Sequence, residues 1–253
     1  MPLSSTIRDL HRRKARERRA LALAEGVRLV EEMLAARVPC KGAVVSPALE
    51  TTPRGAALVS ALAATGAPIE SVSDAELADL AATEHPQGVV AVYEPRAWTL
   101  DDVTCAPGRP VVILDGVQDP GNVGTIARTA LALGASGLVA LPGTADLTNP
   151  KVVRSAMGAL FRLPHLHADD VAVATWLETE AIVPWVTMMQ GDPIPVAPPD
   201  ECIALVLGNE GAGVRPEWEA RAGRRVLIPI RDEAESLNVA VAAGILLHLT
   251  GAR

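Results

Sequence analysis

Continuous apolar runs alternate with helical patterns along the second half of the chain. Val111–Leu114, Gly137–Leu141 and Ile203–Leu207 are short, almost purely apolar segments, which is typical of strands buried on both faces of a parallel sheet. Between them the chain has helical patterns, for example from about residue 123 to residue 133. The alternation predicts an α/β domain with a parallel sheet over residues 110–253.

The first part of the chain alternates in the same way on a smaller scale. Its apolar segments and the helical stretches between them are Ala43–Ser46, 53–65, Ala67–Val72, 74–82 and Gly88–Tyr93. Upstream, residues 20–36 carry apolar side chains at helical spacing and are predicted to form one amphipathic helix. We therefore expect a small α/β domain over residues 1–95 and a linker of mixed polarity over residues 96–109.

A basic run precedes the first domain. Residues 8–19 hold seven arginines or lysines against two acids. A polyanion is the natural partner of such a run, so the sequence predicts RNA-phosphate contacts; a solvated, partly frayed terminus is the alternative. The candidate RNA-binding residues are Arg12, Arg13, Lys14 and Arg16, together with Lys151 and Arg154 on a predicted helix that begins at Pro150.

Composition narrows the function classes. The chain has 253 residues, a net charge of −7, one Phe and one Tyr, which argues against a protein that stacks bases on aromatic side chains. Its three cysteines are far apart and no signal peptide is evident, so free thiols in the cytoplasm are expected. The longest apolar run, Val239–Leu247, is too short to span a bilayer.

Three ordered motifs carry the candidate chemistry. They are Asn122-x-Gly-x-x-x-Arg128, then Leu207-Gly-Asn-Glu-Gly-Ala-Gly213, then Ile228-Pro-Ile followed by Glu235-Ser-Leu-Asn-Val-Ala-Val-Ala-Ala-Gly244. The second motif directly follows an apolar strand. Strand-to-loop junctions of this kind bind small ligands in open α/β sheets, because glycine lets a ligand approach the backbone.

These motifs resemble the SpoU family of RNA ribose 2′-O-methyltransferases, which belongs to the SPOUT class. The resemblance implies a parallel sheet threaded into a trefoil knot, S-adenosylmethionine as cofactor, and a homodimer formed by the C-terminal domain. Two stretches, Ala24–Val30 and His85–Val89, resemble the substrate-binding domain of many members. That domain is itself similar to a family of ribosomal RNA-binding proteins.

The resemblance also assigns roles to residues. Catalytic roles fall to Asn122, Arg128, Glu210, Ser236 and Asn238, and cofactor contacts fall to Gly208, Ile228 and Leu237. A guanidinium stays protonated in proteins. We therefore expect Arg128 to bind phosphate and to stabilise the oxyanion that forms at O2′, and not to act as a base.

The substrate is left more open than the reaction. The N-terminal domain favours 23S ribosomal RNA, with transfer RNA as an alternative. A non-catalytic RNA-binding or ribosome-assembly factor that kept the fold is a further alternative. A Rossmann methyltransferase is disfavoured because its acidic and GxGxG signature is absent. His165 and His167 alternate without a nearby acidic or Cys partner, so no metal site is expected.

Overall fold

The computed structural model of the protein describes residues 2–195 and 200–251. Contacts divide the chain into two compact units. The first comprises Met1–Arg96 and Thr148–Phe161, and the second comprises Ala97–Leu147 and Arg162–Arg253. The predicted division into 1–95 and 110–253 was continuous in sequence, whereas the first unit takes in a segment from the middle of the chain.

The first unit is built on a four-stranded sheet. Its elements are α1 (Leu3–Leu10), α2 (Arg13–Arg19), β1 (Ala22–Glu25), α3 (Val27–Ala35), β2 (Cys40–Val45), α4 (Pro47–Glu50), α5 (Pro53–Ala64), β3 (Ile69–Ser71), α6 (Asp74–Leu80), β4 (Val89–Tyr93) and α8 (Pro150–Ser155). The strand order is β1-β4-β2-β3. β4 is antiparallel to both of its neighbours and β2 is parallel to β3.

The start of the predicted helix over residues 20–36 is wrong. Residues 22–25 form β1, which pairs with β4, and only Val27–Ala35 are helical. Gly26 separates the two elements with φ of +95°, a backbone conformation that L side chains rarely adopt. The alanine-rich segment fits a helix by propensity, but pairing with a buried strand decides its structure.

The inserted segment Thr148–Phe161 packs into the first unit through its apolar side chains. α8 packs beside β1, and Val152 and Val153 are buried. Phe161 meets the ring of Tyr93 edge to face, with 5.3 Å between the ring centroids. Burial of these groups accounts for the segment's place in this unit.

The second unit contains the predicted parallel sheet. Its elements are β5 (Val111–Asp115), α7 (Pro120–Ala132), β6 (Gly137–Ala140), β7 (His165–His167), α9 (Asp170–Thr179), β8 (Val183–Pro193), β9 (Ile203–Gly208), α10 (Pro216–Glu219), β10 (Arg224–Leu227) and α11 (Val239–Thr250). All six strands are parallel, in the order β10-β8-β9-β5-β6-β7. The α/β class with a parallel sheet is confirmed.

The central strands of this sheet position the motifs. β5 and β9 are fully buried and pair in register, with Asp115 opposite Gly208 at their carboxyl ends. Turns that leave these ends therefore start side by side. The last helix, α11, packs on α7, which follows one of these turns. Of the helices in the described part of the chain, none is long and apolar enough to cross a membrane.

Candidate active site

The loop after β9 folds back tightly onto its own strand. A Cβ atom added to Gly208 would lie 2.2 Å from the carbonyl carbon of Gly213, closer than any side chain tolerates. Asn209 and Gly213 exchange backbone hydrogen bonds of 2.9 and 3.0 Å. Glycine at position 208 is therefore required by the packing of the loop itself, independently of any ligand.

Side-chain amides fix the shape of this loop. Asn209 Oδ1 accepts from the backbone N–H groups of Gly211 and Ala212, at 2.9 and 3.0 Å. Asn209 Nδ2 donates to the carbonyl of Gly116, at 2.8 Å. The loop after β9 is thereby attached to the loop after β5, and the two form one surface at the carboxyl edge of the sheet.

The start of α7 belongs to the same surface. Asp119 is the N-cap residue, and its carboxylate accepts from the backbone N–H of Asn122 at 2.8 Å. Pro120 occupies the first helical position, where its missing N–H has no intrahelical partner to lose. This cap places Asn122 in the first turn of the helix, facing the loop after β9.

Glu210 connects that loop to α7. Its carboxylate accepts from Asn122 Nδ2 at 3.0 Å and from the backbone N–H groups of Gln118 and Asp119, both at 3.3 Å. Burial alone would raise the pKa of this carboxyl, but the hydrogen bonds from Asn122 and the backbone outweigh it, so the pKa lies below the ordinary glutamate value. Glu210 is therefore ionised at neutral pH and already bonded through both oxygens.

Asn238 brings in the third motif. Its Oδ1 caps α11 by accepting from the backbone N–H of Ala240 at 2.9 Å, and its Nδ2 donates to Asn122 Oδ1 at 3.0 Å. Asn122 thus bonds Glu210 on one side and Asn238 on the other. Three motifs separated by up to 116 residues meet in one chain of hydrogen bonds.

Arg128 lies further along the same helix and is exposed. Among the residues that the structure describes, it has neither a hydrogen bond nor an ion pair. Six residues separate it from Asn122, so the two side chains leave α7 roughly 120° apart. A protonated guanidinium without an internal partner is available to an anionic ligand.

A cavity of about 470 Å³ lies beside the start of the third motif. It is lined by Ile228, by neighbours in the same segment and by Met188 and Met189 in the middle of β8. Its volume suits a small organic ligand, and its lining combines apolar side chains with the charged residues Arg231 and Asp232. Ser236 and Leu237 are exposed in the segment leading to Asn238.

The predicted RNA-binding residues all lie in the first unit, and one of them does not suit that role. Arg16 is only 4% exposed. Its guanidinium donates to the carbonyls of Leu10 and His11, each at 2.9 Å, and to Thr148 Oγ1 at 3.2 Å. Its assignment as an RNA contact is corrected, because its donors are used inside the unit.

Four of the five remaining basic side chains are exposed. Arg12 and Arg13 form surface ion pairs with Asp9 and Glu17, yet their side chains remain 76% and 62% exposed. Lys14 and Lys151 are exposed, whereas Arg154 is half-buried. Surface pairs of this kind are weak and can be exchanged for a phosphate. The Arg16–Thr148 bond brings α2 close to the segment that carries α8.

Several residues that organise the site were not identified from the sequence. Gln118, Asp119 and Asn209 supply the hydrogen bonds described above, and Thr144 Oγ1 bridges the backbone of Leu114 and Gly116. Asp119 directly before Pro120 is a sequence signal for the start of a helix, so its role as the N-cap residue could have been predicted.

Among residues 2–195 and 200–251, no group of three or more His, Cys, Asp or Glu residues could hold a metal ion.

Comparisons with known proteins match both units. The profile of the SpoU rRNA Methylase family matches residues 109–248, and that of the MRM3-like substrate binding domain matches residues 5–91. The 23S rRNA (guanosine(2553)-2'-O)-methyltransferase RlmP of Bacillus subtilis (strain 168) is 36% identical over 246 residues, which are 96% of this chain and 94% of that protein.

Two solved structures are similar over nearly the whole chain. The AdoMet-bound rRNA methyltransferase from Sinorhizobium meliloti has 32% identity and a TM-score of 0.84, covering 97% of this chain and 92% of that one. The SpoU methyltransferase AviRb from Streptomyces viridochromogenes, in complex with AdoMet, has 30% identity and a TM-score of 0.86, covering 98% and 96%.

Proposed function

Because the chain belongs to the SpoU rRNA methylase family, we propose that it methylates a ribose 2′-hydroxyl of 23S ribosomal RNA. It is an RNA methyltransferase that uses S-adenosylmethionine. The relative in Bacillus subtilis is named for this reaction on 23S rRNA, and the MRM3-like domain occupies most of the first unit. These two similarities favour ribosomal RNA over transfer RNA as the substrate.

The observation that carries the proposal is the hydrogen-bonded chain Glu210–Asn122–Asn238. A non-catalytic RNA-binding descendant would have no reason to keep three distant motifs joined at the carboxyl edge of the sheet. In this chain the three residues are bonded through distances of 3.0 Å at both links. The arrangement supports an intact methyltransferase site.

We assign the transition-state role to Arg128. S-adenosylmethionine supplies an electrophilic methyl group on a sulfonium when it is bound. As the hydroxyl proton leaves, negative charge develops on O2′, and the guanidinium of Arg128 stabilises it together with the adjacent phosphate. Arg128 remains protonated throughout. The hydroxyl proton leaves to phosphate or to water.

Glu210, Asn122 and Asn238 are assigned positioning roles. The carboxylate of Glu210 already accepts three N–H groups and its pKa is low, which makes it a weak base. Its contribution is to hold the loop after β9 against the start of α7, the helix that carries Arg128. Ser236 is exposed and lies two residues before Asn238, and we assign it a polar contact with the substrate.

The cofactor contacts are assigned to Gly208, Ile228 and Leu237. Ile228 lines the 470 Å³ cavity, and Gly208 begins the loop whose backbone closes one side of the carboxyl edge. Leu237 is 37% exposed although it is apolar, so a ligand would bury it. Apolar groups beside free backbone N–H and C=O groups suit a nucleoside such as the adenosine of S-adenosylmethionine.

The RNA surface is assigned to Arg12, Arg13, Lys14, Lys151 and Arg154. Arg154 Nη1 is buried without a hydrogen-bond acceptor among the described residues. Deleting residues 1–95 is a poor test of this surface, because it removes the residues that bury Val152, Val153 and Phe161. Point substitutions of exposed cations are the better probe. The ribosomal-protein resemblance of this unit remains part of the proposal.

The trefoil knot and the homodimer are also part of the proposal. After β10, at one edge of the sheet, the chain returns to pack α11 on α7, which is a path that a knot would require. Val241 on α11 and Leu131 on α7 are 53% and 36% exposed despite being apolar. A second copy would cover such a face. Sedimentation of Val241→Glu, expected as a monomer, tests this.

Two measurements test the function. Titration with S-adenosylmethionine separates an enzyme from an assembly factor, which need not bind the cofactor. Alkaline hydrolysis of 23S rRNA treated with the protein should leave one gap in the ladder, because a 2′-O-methyl ribose cannot act as internal nucleophile. Methylation of a base, with an unbroken ladder, would overturn the proposal. The same assay on transfer RNA should give no gap.

A further inference from the structure

A charged cluster lies beneath the loop after β9 and plays no part in the reaction described so far. It consists of Asp115 at the end of β5, Arg215 directly before α10, and Asp170 at the first position of α9. The carboxylate of Asp115 is fully buried. A buried carboxylate at the end of an apolar strand is costly unless it is bonded.

Arg215 satisfies Asp115 twice. Its backbone N–H donates to Asp115 Oδ2 at 2.7 Å, and its Nε donates to Asp115 Oδ1 at 2.6 Å. One carboxylate therefore fixes both the backbone and the side chain of the same residue. The position of Arg215 is determined directly by the end of β5.

The other end of the guanidinium is held by a second carboxylate. Arg215 Nη1 and Nη2 donate to the two oxygens of Asp170, at 3.2 and 2.6 Å. The buried Trp218 also donates to Asp170 Oδ1, at 2.7 Å. The hydrogen bonds from Arg215 and Trp218 outweigh the effect of burial and keep the pKa of Asp170 below its ordinary value, so Asp170 is ionised at neutral pH.

Arg215 and its two carboxylate partners, Asp115 and Asp170, form a clamp that fixes the loop 209–214, which contains Glu210. The residue before this loop, Gly208, pairs opposite Asp115. The residue after it, Arg215, is hydrogen-bonded to the same Asp115. Both ends of the six-residue loop are therefore fixed on one residue, and Asn209 bonds the next one, Gly116. The conformation of the loop depends on where Asp115 and Arg215 hold its ends.

We propose that Arg215, clamped between Asp115 and Asp170, is a positioning residue that preorganises the loop 209–214 for cofactor binding. The inference rests on the proposed function, in which this loop closes one side of the S-adenosylmethionine site. None of the three residues needs to touch the cofactor. Their effect is exerted through the placement of the loop backbone and of Glu210.

The test uses full-length variants, of which the double variant and Arg215→Lys keep the net charge of the protein. Arg215→Gln combined with Asp115→Asn removes both partners together, so that no carboxylate is left buried alone. Asp170→Asn is a milder variant that keeps the Asp115 contacts. Arg215→Lys keeps the charge without the planar fork. The control is Arg109→Gln, a change in an exposed arginine just before β5, at the opposite edge of the sheet, whose side chain has no hydrogen bond or ion pair among the described residues.

Cofactor affinity is measured by calorimetry well below the melting temperature, and amide hydrogen exchange is followed over residues 209–214. The double variant should weaken binding of S-adenosylmethionine by roughly tenfold to a hundredfold, the scale on which small misplacements act. Exchange in the loop should quicken. Saturating cofactor should restore most of kcat. Asp170→Asn and Arg215→Lys should show smaller losses, and Arg109→Gln should match the wild type.

The outcomes separate this inference from the proposed function. Failure of the wild-type protein to bind S-adenosylmethionine would contradict the proposed function. Amide hydrogen exchange over residues 209–214 in the wild type and the variants would still show whether Arg215 orders the loop. Wild-type affinity in a folded double variant, or in Asp170→Asn if the double variant does not fold, would overturn the inference. A lower melting temperature with unchanged affinity and unchanged loop exchange would leave the cluster a purely structural role.

Discussion

Arg16 and Arg128 are both arginines on helices, and the structure gives them opposite surroundings. Arg16 lies in the most basic stretch of the chain, yet it is buried and bonded to two carbonyls and a hydroxyl. Arg128 lies in a unit without a basic run, yet its side chain is exposed and has no partner among the described residues. Local charge density therefore predicts function less well than the availability of each donor.

The difference has a physical cause. A buried guanidinium must have its donors satisfied, since each unpaired donor costs the free energy of desolvation. Once these donors are bonded inside the protein, the guanidinium has no donor available for a ligand. An exposed guanidinium retains its full hydrogen-bonding capacity until an anion arrives. The contrast can be sharpened by substituting residues of each kind and measuring catalysis, stability and RNA binding separately.

The largest effect is expected for Arg128→Ala. Loss of one preorganised oxyanion stabiliser typically costs about 2.7–4 kcal/mol in the barrier, or a factor of about 10² to 10³ in rate, and lost phosphate positioning adds to it. Binding of S-adenosylmethionine and the melting temperature should not change, because the Arg128 side chain has no hydrogen bond or ion pair among the described residues. Single-turnover methylation of 23S rRNA measures the rate, and calorimetry measures the cofactor.

Arg109→Ala, in another exposed arginine of the same unit, is the control and should retain wild-type turnover. Arg128→Lys should recover part of the rate, since it keeps the charge but loses the planar fork. Near-normal turnover in Arg128→Ala would show that this arginine takes no part in catalysis. The exposure of its donors would then not distinguish it functionally from Arg16.

Arg16→Met should act on stability instead. The carbonyls of Leu10 and His11 would lose their donors, which we expect to cost about 1–3 kcal/mol of unfolding free energy. Chemical denaturation measures it. Arg13→Met, in the same helix, removes a surface ion pair with Glu17 and should stay within about 0.5 kcal/mol of the wild type. Equal stability of the two variants would show that burial of Arg16 is unimportant.

The sequence predicted the parts of the molecule that depend on local pattern. The parallel sheet follows from apolar runs, and the helical stretch over residues 74–82 is present as α6, Asp74–Leu80. The motifs supplied Asn122, Glu210 and Asn238, which the structure joins by hydrogen bonds. Their spacing alone gave no distances between them, because the register of β5 against β9 brings them together.

The sequence did not reveal contacts between residues far apart in the chain. Arg16 and Thr148 are 132 residues apart, and Asp115 and Arg215 are 100 apart. No periodicity reports such pairs. The strand β1 was read as helix for the same reason, since its structure depends on a partner strand more than sixty residues away. Long-range pairing overrode local propensity there.

Glu210 provides an intermediate case, because its carboxylate is bonded but not deeply buried. Its pKa is lowered, so its contribution to the loop is complete above the ordinary glutamate value of 4.5 and is lost as pH falls through the lower folded value. Binding of S-adenosylmethionine should therefore show no break from this group between about pH 5 and 8. Glu210→Gln should weaken binding by about tenfold, or 1.4 kcal/mol.

Affinity measured across this pH range in the wild type and in Glu210→Gln checks the assignment. A break near neutrality that disappears in Glu210→Gln would mean that the carboxyl titrates there, and it would restore Glu210 as a candidate general base. Asn122→Ala, which removes one of its donors, should weaken binding without creating such a break.

The smallest effect is expected for Lys14→Ala, two residues from Arg16 on the same helix. Lys14 is exposed and has no partner among the described residues, so its loss should leave unfolding unchanged. If it contacts one phosphate, the slope of log affinity against log salt should fall by about 1. Binding of a 23S rRNA fragment across a potassium chloride series measures the slope.

Lys41→Ala, which breaks an ion pair with Glu94 elsewhere in the unit, controls for general loss of charge. Equal slopes for Lys14→Ala and the wild type would show that Lys14 contacts no phosphate. They would favour a solvated basic helix and leave Lys151 and Arg154 as the candidate RNA contacts.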